Sequence, residues 1–130
     1  MKIRWDEMRW PEIEQLLKVS NVIILPVGST EQHGRHLPLN TDMFSSVYLA
    51  ERVAHKVTAE HGIRVVIAPS IPYGEAGGTP PFSKLLPGTI SVRGDTIINL
   101  IEDVVRSLAT QGFKNILFLM AILKMHRSSP

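Results

Sequence analysis

Between residues 28 and 42 the chain reads GSTEQHGRHLPLNTD, and four side chains in it can do chemistry: Glu31, His33, His36 and Asp42. Two carboxylates and two imidazoles within twelve residues offer hard oxygen and borderline nitrogen donors, a set suited to Zn, Mn or Fe in the divalent state. Gly28 and Gly34 would let the backbone fold around an ion. From spacing alone a plainer reading stays open. Asp42 can cap a helix, Glu31 and Arg35 can form a solvated pair, and a loop histidine can simply face water.

Other chemistries are easier to set aside. The 130 residues contain no cysteine, which removes a thiol nucleophile, a disulfide scaffold and a thiolate zinc site. Ser29, Ser83 and Ser91 have no recognisable base partner, so a serine hydrolase is disfavoured. A dinucleotide site is disfavoured too, because the turn GSTEQHG lacks the glycine fingerprint and puts an acid where a pyrophosphate would sit. With 14 basic against 12 acidic residues, no nucleic-acid partner is expected. No apolar run reaches the ~18 residues of a membrane span, and Arg4, Asp6, Glu7 and Arg9 exclude a signal-peptide core at the N-terminus. A cytoplasmic protein without a membrane partner is expected.

The elements that must position these side chains follow from periodicity. Residues 11–19 predict a short amphipathic helix with Pro11 in its first turn and Ile13, Leu16 and Leu17 on one side. The apolar run 21–27 predicts a buried strand that stops at Gly28. Thr41 or Asp42 opens a helix to about residue 60, in which Phe44, Val47, Tyr48, Val53 and Val57 recur near helical spacing and which Gly62 ends. Residues 64–68 predict a second strand. Residues 70–94, rich in Gly and Pro, predict a long ordered loop. Asp95 begins a third helix, with Ile97, Ile98, Ile101, Val104, Val105 and Leu108 on one face and Gly112 at its end, and residues 115–119 form a third strand. Trp5 and Trp10 are expected to pack in the core or against helices, while His55 and His61 face solvent. The alternation specifies an α/β protein with a parallel sheet covered by helices, whose ligands gather beyond the carboxyl ends of the strands. Residues 28–42 and 69–94 lie there.

The segment LPVGSTEQHGRHLPLNTD resembles the first signature of the creatininase family of metal-dependent amidohydrolases, and Pro69, Tyr73-Gly74 and Pro87-Gly88-Thr89 continue the likeness. The resemblance implies a three-layer α/β/α fold with a mainly parallel sheet. It implies that Glu31, His33 and Asp42 are metal ligands, with Asp42 bridging two divalent cations (Zn, Mn or Fe), and that His36 supports those ligands from behind or faces the substrate. Two cations held by a bridging carboxylate suit hydrolysis of an unactivated C–N bond, in a cyclic or linear small-molecule amide. Intact members of the family are homo-oligomers, commonly hexamers.

The chain departs from the family at residue 120. The remaining ligands are expected from an Asn-Gly-His segment followed by Glu-Asn or Gly-Asn, yet the sequence reads Met120-Ala-Ile-Leu-Lys-Met125-His126 and ends at Pro130. Placing one A before the codons of residues 120–126 and reading from it allows AAT, GGC, NAT, a free codon, NAA, RAT and GCA, hence Asn-Gly-His-x-Glu-Asn-Ala. The expectation is therefore that residues 1–119 are the N-terminal part of a creatininase-like domain and 120–130 an aberrant tail left by a one-nucleotide deletion, genuine or in the reading of the gene. A divergent amphipathic tail with an exposed His126 is the alternative. Such a truncated chain is expected to be impaired as an amidohydrolase, or to be an inactive metal-binding or assembly fragment, with an exposed strand edge that invites association.

Overall fold

The computed structural model describes residues 1–77 and 85–120 of the chain. A 3-10 turn at Trp5–Glu7 leads into α1 (Trp10–Leu17), β1 (Val22–Val27), α2 (Thr41–His61), β2 (Val65–Ile67), α3 (Gly94–Gln111) and β3 (Asn115–Met120). The strands form one parallel sheet in the order β2-β1-β3, with Val22 opposite both Val65 and Asn115. The expected α/β class holds, and every predicted element is present within three residues of its expected ends. The aberrant-tail expectation falls on residues 121–130, outside the described residues; Met120 itself continues β3.

β1 is central because it can be buried on both faces. Ile23, Leu25 and Val27 point to one side, where they join Val66, Ala68, Ile13 and Leu16 of α1, Leu108 of α3 and Phe113. Ile24 points to the other, with Val65, Ile67 and Ala50 and Ala54 of α2. The helices therefore make three layers, α1 with α3, the sheet, then α2. Pro26 sits in the central strand without breaking it. Its missing N–H faces a gap in the ladder, because Pro69 and Ser70 are bypassed between Ala68, whose N–H donates to Ile24, and Ile71, whose N–H donates to Pro26. The outer edge of β2 is covered by the N-terminal residues, since the Ile67 N–H donates to Ile3 at 2.7 Å.

Two expectations about faces are corrected. The large residues Phe44, Tyr48 and Val53 of α2 are exposed, and the helix meets the sheet through Asp42, Ser46, Ala50 and Ala54 instead. Small side chains at every fourth position let the helix lie close to the strands, and the buried Ser46 hydroxyl donates to the Val27 carbonyl at 3.1 Å. Trp10 is 76% exposed rather than packed, at the first position of α1. Trp5, in contrast, is half-buried with its ring 5.6 Å from that of Phe113. His55 and His61 are exposed as expected.

The described parts of residues 70–94 are ordered by pairing. Ile71 bridges Val27, Gly74 bridges Ser91, and residues 86–89 make a turn in which the Thr89 N–H donates to the Leu86 carbonyl at 3.1 Å. Among the described residues no helix is long and apolar enough to cross a membrane.

Candidate metal centre

β1 delivers the chain to the carboxyl edge of the sheet, where Gly28 lets it pass under the start of α2. A Cβ at that position would lie 2.9 Å from the Met43 backbone nitrogen and 3.1 Å from the Asp42 carbonyl carbon, so the close approach requires glycine. The following loop doubles back on itself. The Glu31 N–H donates to Leu39, His33 bridges Leu37, and Gly34 turns the chain with a φ of 75°.

This path gathers Glu31, His33 and Asp42. One donor atom from each lies within 4.8 Å of the others. Asp42 is 4% exposed, in the first turn of α2, where the positive end of the helix favours its negative charge. It is not the N-cap; Asn40 takes that place. Among the described residues Glu31 makes no ion pair with Arg35, so both plainer readings of these acids fail. His36 is exposed, folded against Gly34, and lies outside the group of three.

The imidazole of His33 is held from both sides. Its Nδ1 lies 3.0 Å from the Glu31 carbonyl, which can only accept, so Nδ1 carries a hydrogen and donates it. Its Nε2 lies 3.0 Å from Asp42 Oδ1. In the neutral ring that contact sets a lone pair against a carboxylate, and a positive species must intervene, either a proton or a cation. Burial pulls the His33 pKa down, but the Glu31 carbonyl and the Asp42 and Glu31 charges outweigh it, so the net direction is up from 6.5. Glu31 is likewise raised from 4.5, chiefly by burial and then by its hydrogen bond and charge repulsion with Asp42, with His33 opposing. Two crowded carboxylates and an imidazole with Nδ1 bonded to a backbone carbonyl match the donor chemistry of a divalent metal site.

Other polar residues of the neighbouring loops make structural contacts or face solvent. The Ser91 hydroxyl accepts the N–H groups of Ala76 and Gly77, and the Glu75 carboxylate abuts the start of α3 at Gly94. Ser29 lies against Gly74, and Tyr73 is exposed. Ser83, Gly78 and Thr79 lie outside the described residues. Sequence reasoning missed the contribution of Thr30 and Thr89, whose hydroxyls bond backbone groups across this loop cluster. The only signal was the Pro-Gly-Thr turn.

The creatininase family model, described as creatinine amidohydrolase, matches residues 6–121. The creatinine amidohydrolase of Pseudomonas putida is 31% identical over 119 residues, covering 87% of this chain and 42% of that enzyme. A mycofactocin precursor peptide peptidase of Mycolicibacterium smegmatis is 37% identical over 93 residues, covering 72% of this chain and 36% of that protein. A solved structure described as "Creatininase Mn" superposes with a TM-score of 0.75 at 28% identity, covering 91% of this chain and 44% of that one. The chain thus spans less than half the length of the relatives it matches.

Proposed function

The chain belongs to the creatininase family, and from that premise we propose that it carries the first half of a divalent-metal amidohydrolase site. Glu31, His33 and Asp42 are the proposed ligands, and Zn, Mn or Fe the proposed metals, two per complete site. The observation that carries this is the convergence of three donor atoms within 4.8 Å, with the His33 ring already fixed by the Glu31 carbonyl. A bound divalent cation polarises a carbonyl oxygen and makes a nearby water more acidic. The chain's own residues supply the rest. His33 presents Nε2, Asp42 holds charge at a buried helix terminus, and Glu31 closes the group from the loop. His36, exposed at the turn, is proposed to face the substrate or support the ligands from outside the first ring of donors. The proposed substrate is a small-molecule or peptide-like amide cleaved at a C–N bond.

A second reading has a specific observation behind it. Residues 120–125 read MAILKM and offer no metal-binding side chain where the family's second ligand segment is expected. On that reading residues 120–130 are an aberrant tail, and the chain binds metal or assembles without turning over. One experiment separates the readings. Metal content and calorimetric titration with Mn and Zn should show binding that Asp42→Asn weakens at least about a hundredfold, beyond the usual effect of residues outside the ligand ring. Turnover on a panel of amides including creatinine supports the enzyme; binding without turnover supports the inactive fragment. Wild-type protein that binds neither metal overturns both.

A further inference from the structure

The ligand loop does not hold its shape alone. Gln32 lies between two proposed ligands, and its N–H donates across the loop cluster to the Thr89 hydroxyl at 3.0 Å. Next to it, the Ile90 N–H donates to the Thr30 carbonyl at 2.9 Å, and the Thr30 hydroxyl donates to the Pro72 carbonyl at 2.8 Å. The Gln32 side chain turns the other way, accepting the Gly34 N–H at 2.9 Å. The opposing segment is itself stiff. In the turn at residues 86–89, Pro87 fixes one central position and Gly88 takes a φ of 89° at the other, an arrangement with strong residue preferences. Gly88 also lies against Leu39, where an added Cβ would come within 2.7 Å, and Leu39 in turn accepts the Glu31 N–H. The turn therefore touches the loop at both ends of the ligand segment.

We infer that Thr89 is a positioning residue for the metal centre: its hydroxyl, presented by the Pro87-Gly88 turn, sets the backbone between Glu31 and His33 and so the distance between their donor atoms. The inference rests on the proposed metal reading of Glu31, His33 and Asp42. Among the described residues Thr89 makes no hydrogen bond to these side chains, and its hydroxyl meets the ligand loop at the Gln32 amide. A hydroxyl acceptor is what matters. Valine has the same shape without it, and serine keeps it without the methyl group.

The test uses the full chain, with Thr89→Val and Thr89→Ser beside wild type. In metal-free wild-type protein the Gln32 amide should be protected from hydrogen exchange, and Thr89→Val should speed that exchange by about tenfold. Titrated with Zn and with Mn, Thr89→Val should bind about tenfold more weakly, whereas Thr89→Ser should stay within about twofold of wild type. An unprotected Gln32 amide in wild type overturns the inference without any substitution, which covers a valine variant that fails to fold. Faster exchange with unchanged metal affinity also overturns it, while leaving the metal centre intact. Wild type that binds neither metal removes the centre itself, and the positioning role with it.

Discussion

At the scale of single residues, His33 couples this site to pH. Its Nε2 faces Asp42, so a proton and a cation compete for one place. Metal binding should release a proton in the range above 6.5 where His33 is still charged, and affinity should rise with pH through that range. Calorimetry in buffers of differing ionisation enthalpy measures the released proton directly. The same shifts set the stability of the metal-free protein, with the opposite slope. Glu31 and His33 are both raised above their ordinary values of 4.5 and 6.5. Their stabilisation is complete below those values and lost as pH rises through the raised folded ones. Glu12, lowered to about 2 by the Arg9 N–H and then by Lys2, acts only below 4.5 and does not obscure the trend. Thermal melts of metal-stripped protein should therefore show Tm falling as pH rises from 6.5, and saturating Zn should abolish the fall. A flat metal-free profile would contradict this account of His33.

At the scale of elements, the joint between α1, α3 and the sheet rests on Phe113, 1% exposed, immediately after the left-handed Gly112 that ends α3. Phe113→Ala should cost about 3–5 kcal/mol, read as a lowered urea midpoint, because the ring fills space among Ile13, Leu16 and Leu108 that cannot collapse. Sequence made this level legible to a large degree. Continuous β-branched runs marked β1 and β2, and Gly62 and Gly112 marked helix ends because few other residues adopt a φ of 67° or 119°. The start of α1 was displaced because the Glu12 carboxylate accepts the Arg9 N–H, a bond that leaves no apolar period. The buried face of α2 is not the one its large residues trace, because Ser46, Ala50 and Ala54 are what permit close packing. The pairings of Ile71 with Val27 and of Gly74 with Ser91 involve single residues, and single residues carry no periodic signal. The gathering of Glu31, His33 and Asp42 was legible for the opposite reason, since the three donors are local in sequence.

At the scale of the whole molecule, the two edges of the sheet differ. β2 is covered by residues near the N-terminus, whereas β3 ends the order with Leu117, Phe118 and Met120 about half exposed on both faces. Relatives of this chain are more than twice as long as the part it matches. Among the described residues no strand pairs with the outer side of β3, and an apolar strand edge of this kind favours pairing with another chain. We propose that the chain self-associates there. Sedimentation or size-exclusion profiles should shift to larger species with concentration, and Leu117→Lys should return them toward the monomer while leaving Zn affinity unchanged. A wild-type profile that stays monomeric at all concentrations would refute the proposal.

The three donors also have a temporal meaning. Glu31, His33 and Asp42 span twelve residues, so gathering them closes a short loop at small entropic cost. The strand that launches that loop and the helix that completes it leave the ribosome before β2, α3 and β3. On the proposed metal reading, a nascent polypeptide of this kind can capture an ion while the rest of the sheet is still being synthesised.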